Sequence, residues 1–490
     1  MYQLEPRELS FMKKIIIYAV LFLVVLLFSA GCAVNPVTGK SQLMLVSEDQ
    51  EVTMGKEFYP SALWGDMGGG GEYRDDRLRS YLKDIILRIH SVSHRPNLPI
   101  DFAIQNSSIP NAWAIPGHVT ITRGLLAALD NEAEFAFVMG HEMGHVSARH
   151  SASQMSCGML QQIGLGVAGI ALSNSSLADP ALTLGNIGGS LLLLKYSRDD
   201  ELEADRLGVL YMTRLGYDPQ YAVMAHNNLE KVAQDYQRLM GKDSQQGGVV
   251  SDLLSTHPRT SIRIDEIRQL IRNLPPYSVV SDGASGERFM SMSAQLRKTN
   301  QVYLYNYDKA VKAFSEDKLE EADSLISKAI SAEAGQAPFH NLKGYIALKK
   351  KDYTGADQLF KSALNRDPNY EPAIRGMGTL LYYKQSYSDS TDYLKKALTL
   401  FPQDASAHYF LGMDYFRMAS YKNAIPYLKA YADIQPKHPE VHGVLGICYE
   451  STDDRQSAYN EYLAQVKVAP SNDMGRYAQS RLGVLGSLSK

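Results

Sequence analysis

The sequence predicts an α+β, mainly helical fold in two bodies, a mixed N-terminal domain followed by an all-α solenoid. Three observations predict it. Gly344, Gly378, Gly412 and Gly446 stand 34 residues apart, and Pro368, Pro402, Pro436 and Pro470 keep the same spacing. Three β-type runs (Ile100–Ile104, Asn111–Ile115, His118–Thr122) are separated by Ser, Asn, Pro and Gly, within otherwise helical periodicity. Pro275-Pro276 and the following SDGASG mark a boundary between the bodies.

The elements follow in order. From Met12, an alternative start, MKKIIIYAVLFLVVLLFSAGC joins two lysines to an apolar stretch and a small-residue end. Residues 1–31 therefore read as a secretory signal peptide. The signal closes on Ser29-Ala30-Gly31-Cys32, similar to a bacterial lipoprotein processing site, so Cys32 is the expected lipidation site. A first domain is expected over 32–280. It opens with a helix capped by Ser47, broken at Gly68–Gly71, and resumes helical periodicity over Asp75–His90. After the three strands the pattern is helical from Arg123 through FVMGHEMGHVSARH. Residues 158–195 are Gly-rich and apolar, but neither apolar block reaches the roughly 18–20 residues a membrane span needs. Helices packed over the site and touching the bilayer surface are expected there, with a re-entrant hairpin as the alternative. Residues 281–302 are expected as a linker. Cys157 and Cys448 fall in different bodies, imply no disulfide, and read as buried small apolar residues.

In the C-terminal body Ala356, Ala424 and Ala458 share the phase of the glycines, as do Tyr415 and Tyr449. This is the tetratricopeptide period: two antiparallel helices per unit, small residues where they cross, and proline ending the second. Five repeats are expected over 303–470, the first weaker, with Ala334 where proline would stand, and a capping helix over 471–490.

At 490 residues the chain exceeds one core. With 50 Lys and Arg against 53 Asp and Glu there is no basic field, so nucleic acid is excluded as a partner.

The chemistry lies in FVMGHEMGHVSARH. On a helix, i and i+4 differ by about 40° and 6 Å of rise, so His141 and His145 point one way and can share one Zn²⁺. Glu142 lies about 100° round, placed to accept a proton from water rather than to ligate. H-E-x-x-H should arise by chance about 0.02 times in a chain of this composition. Histidines satisfied within a core are the competing reading, but three buried ionisable groups without strong partners would each cost roughly 1–3 kcal/mol. Gly140 and Gly144 each weaken a helix by roughly 0.5–1 kcal/mol, implying close approach of a backbone or of the metal site. A catalytic zinc needs a third protein ligand and one open position. In YSRDDELEADRLG, Glu201 and Asp205 share a helical face, one to ligate and the other to accept the far N–H of a ligand histidine. A solvated acidic face with Asp199, Asp200 and Glu203 is the alternative for that segment alone.

HEMGHVSARH, SRDDELEAD and the upstream NPVTGKSQLMLVSEDQE together resemble the zinc metallopeptidase family of the CAAX prenyl proteases, in its periplasmic bacterial branch. The resemblance covers about residues 33–280 and implies a gluzincin-like metalloprotease domain. It implies one Zn²⁺ per chain held by His141, His145 and Glu201, Glu142 as the base, and Asp205 supporting a ligand histidine. NAWAIPGHVTITRGLL is similar to the family's edge strand, so Asn111, Ala112, Trp113 and Ala114 are expected to receive an extended substrate by β-addition. In STHPRTSIRI, the resemblance places His257 near the metal. It is a fourth ligand at rest that holds the enzyme latent, a transition-state donor, or a turn residue before Pro258. His118, His150 and Arg263 are possible oxyanion donors, with His150 better read as structural because it is off the ligand face.

A secretion signal, this peptidase and these repeats together resemble envelope members of the family that act in outer-membrane protein quality control. The resemblance implies a lipid-anchored zinc endopeptidase of the periplasm and outer membrane. It would cleave misfolded or misassembled envelope proteins chosen by the repeats, which would also meet an assembly-machinery protein. The alternative is a chaperone-like scaffold for outer-membrane protein assembly with a latent protease.

Overall fold

In the computed structural model, which describes residues 32–66, 69–159, 196–241 and 261–488, the chain divides into two units. The first ends at Leu296; the second runs from Arg297 and takes in Leu63–Gly65 and Gly69–Gly71. The expected signal peptide and the apolar segment 160–195 lie outside the described residues.

The first unit begins with a two-stranded antiparallel ribbon, β1 (Cys32–Val34) and β2 (Ser41–Leu43). Helix α1 (Glu48–Ser61) starts at Ser47, whose hydroxyl accepts from the Gln50 N–H while the Gln50 side chain accepts from the Ser47 N–H. Two otherwise orphaned donors are thereby satisfied. Gly69, Gly70 and Gly71 all take positive φ, open to glycine without steric cost, beyond the end of this helical stretch. Helix α2 (Asp76–Ser91) buries Leu78, Leu82, Ile85, Ile86 and Ile89 along one stripe.

Strands β3 (Ile100–Gln105), β4 (Ala112–Ile115) and β5 (Gly117–Thr122) form a sheet of order β3-β5-β4. β3 runs parallel to β5, and β4 antiparallel to it, with Ile115 opposite His118. The tight β4–β5 reversal uses Gly117 at φ +95. β4 has one strand neighbour, so its other edge carries no ladder among the described residues.

Helices α3 (Glu132–Ser147), α4 (Arg198–Arg214), α5 (Gln220–Met240), α6 (Ser261–Arg272) and α7 (Gly286–Val302) follow, the last belonging to this unit as far as Leu296. Its core joins Phe102 and Ile121 of the sheet to Phe135, Met139, Met212, Ile267 and Phe289 of the helices. Two expectations are corrected. Residues 281–302 are not a bare linker. Beyond the turn at 281–285 they form α7, whose Phe289 and Leu296, seven apart on one face, are fully buried in that core. Cys157 is exposed rather than buried. It lies on a helix beginning at His150 whose inner face presents Ala152, Met155 and Ser156. Cys448 is buried.

The second unit is a tetratricopeptide solenoid of five helix pairs. They are Asp308–Ser315 with Leu319–Ala332, Ala337–Lys349 with Tyr353–Arg366, Glu371–Tyr383 with Tyr387–Leu400, Ala405–Arg417 with Tyr421–Ile434, and Val441–Ser451 with Arg455–Val468. Asp473–Leu488 follows. The last four pairs cross at their glycines, and the first has Ala310 at that position: a β-carbon at Gly412 would stand 2.6 Å from the Leu428 side chain. Every pair turns on a left-handed non-glycine residue: Asp317, Lys351, Gln385, Ala419 and Asp453, again 34 apart. The first repeat keeps this turn although it lacks the proline.

Candidate active site

Helix α3 starts where Asn131 accepts from the Glu134 N–H, and all its residues but Val146 are buried. A helix so enclosed must find partners for His141, Glu142 and His145 inside the protein. Its two glycines let α4 come close. A β-carbon at Gly140 would lie 3.2 Å from the Gly208 Cα, and one at Gly144 would lie 3.2 Å from the Ala204 Cα. This crossing sets Glu201 and Asp205, one turn apart on α4, against the two histidines. A β-carbon at Gly208 would in turn stand 3.1 Å from the His141 N and Phe137 O, both backbone. Gly208→Val therefore forces the helices apart and should cost roughly 1–3 kcal/mol or more, read as a lower melting temperature. An unchanged melt would refute the tight crossing.

The side chains converge. His141 Nε2 lies 3.2 Å from His145 Nε2 and 3.7 Å from Glu201 Oε2, and His145 Nε2 lies 3.4 Å from Glu201 Oε1. His141, His145 and Glu201 are all buried, and they form the one cluster of potential metal ligands among the described residues. Tetrahedral zinc with N and O ligands near 2.0–2.1 Å would set neighbouring ligand atoms about 3.3–3.4 Å apart. The residues fit that ion. The hydrogen bonds fit it too: Asp205 Oδ1 accepts from His141 Nδ1 at 2.9 Å, which leaves the His141 Nε2 lone pair facing the convergence point.

Asp205 is the hub of the support. Arg263 Nε and Nη2 donate to its two oxygens at 2.7 and 2.6 Å, and Arg263 Nη1 pairs with Glu201 Oε2 at 2.6 Å. His226 Nε2 reaches Asp205 Oδ1 at 3.4 Å. Burial alone would raise the Asp205 carboxyl, but the Arg263 charge and the bonds from Arg263, His141 and His226 hold it well below the usual range. Burial lowers His141 despite the opposing pull of Asp205 and Glu201, favouring the neutral imidazole that ligation requires.

Glu142 lines a cleft with His141, Asn111, Ala112, Phe137, His226 and Arg263. Asn111 and Ala112 of the edge strand thus border the same space as Glu142. The Trp113 side chain instead packs beside Ala62 and donates its indole N–H to Gln105, and Ala114 belongs to the main core. His257 lies outside the described residues. The three histidine and arginine positions considered as oxyanion donors have other partners. Arg263 holds the two carboxylates; His118 stacks on Tyr59 at 4.0 Å and borders a different cleft; and His150 Nδ1 lies 2.9 Å from His145 Nδ1. Two neighbours escaped the sequence reading. Tyr196 stacks on His145 at 3.8 Å and 19°, and its only cue was its place at the head of the YSRDDELEAD run. His226 is a lone histidine on an amphipathic helix, which by itself signals nothing. No described helix is long and apolar enough to cross a membrane.

Residues 76–271 match the model of Peptidase family M48, and residues 337–370 and 375–439 match tetratricopeptide repeat models. The chain is 26% identical over 334 residues to the beta-barrel assembly-enhancing protease of Yersinia pestis, covering 63% of this chain and 65% of that protein. It is 26% identical over 342 residues to the protein of the same name in Escherichia coli (strain K12), covering 64% and 66%. The mitochondrial metalloendopeptidase OMA1 of Arabidopsis thaliana is 31% identical over 169 residues, covering 34% and 31%. The matched region spans just under two thirds of the length of the two bacterial relatives.

Proposed function

From a chain that carries a peptidase family M48 domain and C-terminal tetratricopeptide repeats, we propose a zinc-dependent endopeptidase that acts on misfolded or misassembled envelope proteins. The observation that carries the proposal is the meeting of His141 Nε2, His145 Nε2 and Glu201 within 3.2–3.7 Å in a buried site. His141, His145 and Glu201 hold the ion, and Asp205 orients His141. Bound zinc supplies Lewis acidity to the scissile carbonyl and to the attacking water. Glu142 takes the proton of that water and returns it to the departing amine. The backbone of Asn111–Ala114, on the edge strand, holds the substrate as an added strand. His257 is the displaceable fourth donor that keeps the enzyme latent at rest.

The apolar N-terminal stretch ending at Cys32 supports secretion, and the names of the bacterial relatives support a place in β-barrel assembly. The chain is secreted, is lipid-anchored through Cys32 to the outer membrane, and faces the periplasm. Its repeats select substrates, outer-membrane proteins among them, and dock an assembly-machinery protein. Metal analysis and casein digestion test the core of the proposal. One zinc per chain is expected, with cleavage stopped by a chelator and restored by zinc. Protein without stoichiometric zinc, or digestion indifferent to chelation, overturns it. Mass spectrometry of the mature N-terminus should find a lipid on Cys32; an unmodified thiol there removes the anchor.

A further inference from the structure

Past α3 the chain reverses at Arg149, which takes a left-handed φ of +60. For a residue with a β-carbon this conformation costs roughly 1–2 kcal/mol, so something must hold it. Arg149 Nε donates to Glu51 Oε1 at 3.1 Å and Nη2 to the Val46 carbonyl at 2.8 Å. The other Glu51 oxygen accepts from Arg95 Nη2 at 2.8 Å, and Arg95 Nη1 donates to the Val146 carbonyl in the last turn of α3 at 2.9 Å. Glu51, Arg95 and Arg149 are all buried. Two arginines on one buried carboxylate therefore fix the end of the active-site helix and the turn beyond it.

The reversal brings His150 back onto His145, with Nδ1 to Nδ1 at 2.9 Å and ring centroids 5.0 Å apart. On its far side His150 Nε2 lies 3.1 Å from Glu203 Oε2 and 3.5 Å from Asp200 Oδ1. A carboxylate can only accept, so His150 Nε2 carries a hydrogen, and in the neutral ring its Nδ1 is an acceptor. His145 then donates from Nδ1, and its Nε2 lone pair is turned toward His141 and Glu201. His141 obtains the same orientation from Asp205 directly.

We propose that His150, backed by Glu203 and placed by the Glu51–Arg149 clamp, is the positioning residue for His145, fixing its tautomer and so the zinc affinity of the site. The inference rests on the reading of His141, His145 and Glu201 as zinc ligands. The two ligand histidines are thus supported by different means, one by a carboxylate and the other through an intervening imidazole.

Zinc affinity by chelator competition, together with imidazole ¹⁵N spectra of the metal-free protein, tests this on the full chain. His150→Leu removes the acceptor and should weaken zinc binding about 10–100-fold, the range typical for such outer partners. The His145 hydrogen should also leave Nδ1. His150→Gln, whose amide oxygen can accept, should recover most of both. Should His150→Leu fail to fold, Glu203→Gln serves instead, with at least a threefold loss of affinity expected. Zinc affinity within twofold of wild type in a folded His150→Leu chain, or in Glu203→Gln where that chain serves, overturns the relay. So does a wild-type His145 whose hydrogen already sits on Nε2. A merely structural role would lower the melting temperature without moving the tautomer. A wild type that takes up no zinc brings down the ligand reading and this inference with it, whereas a zinc-loaded wild type with indifferent variants brings down the inference alone.

Discussion

Glu142→Gln should lower kcat/KM on an unfolded protein substrate by about 10²–10⁴-fold while zinc stays at one ion per chain. The two side chains have the same shape, so the buried helix around position 142 is undisturbed; glutamine cannot take up a proton. Zinc is retained because the atoms that meet at the candidate metal site come from His141, His145 and Glu201. Glu142 instead faces the cleft shared with Asn111 and His226. Activity within tenfold of wild type would remove Glu142 from the mechanism. Loss of zinc together with activity would move it into the ligand set.

Asp414→Asn should stabilise the repeats at pH 8 by on the order of 2–4 kcal/mol and change them little at pH 4. Asp414 stands in phase with Ile346, Leu380 and Cys448, and like them is buried. Ser390, in phase with Ala356, Ala424 and Ala458, is also buried, and donates its hydroxyl to the Gly378 carbonyl. Two polar residues therefore occupy buried positions that are apolar or small in the second and fifth repeats, although the first repeat has an exposed Lys312 at the Asp414 phase. Burial pushes the Asp414 carboxyl up to about 7. The sign follows. Below the ordinary aspartate range both folded and unfolded chains hold the proton. As pH rises toward about 7 the unfolded chain releases it while the folded chain keeps it, so stability falls with pH and levels off above that value. Asparagine mimics the protonated acid and does not titrate. Urea unfolding of the repeats at pH 4 and pH 8 measures the difference; a variant with the same gain at both would show that the carboxyl does not titrate in this range.

Much of this is legible in the sequence. The H-E-x-x-H spacing puts His141 and His145 on one face of any α-helix, and the 34-residue phase names the crossing glycines and the closing prolines of the repeats. Both depend on local periodicity, which survives whatever the rest of the chain does. The role of Arg263 was not readable, because a guanidinium near a metal site can face substrate or hold carboxylates. Only the meeting of α6 with α4 chooses, and it chooses Asp205 and Glu201. Helix α7 was hidden behind the Ser- and Gly-rich turn that precedes it, although Phe289 and Leu296 keep helical spacing.

By itself the sequence determined the helical pairing of the two histidines, the repeat period and the edge-strand signal, since each follows from bonds and side chains within one stretch of chain. Tertiary structure decided what supports them. His150 is off the ligand face of α3, and it reaches His145 only because Arg149 turns left-handed and is held there by Glu51, 98 residues earlier. No periodicity encodes that contact, because it depends on a buried ion pair between segments that meet only once the chain has folded.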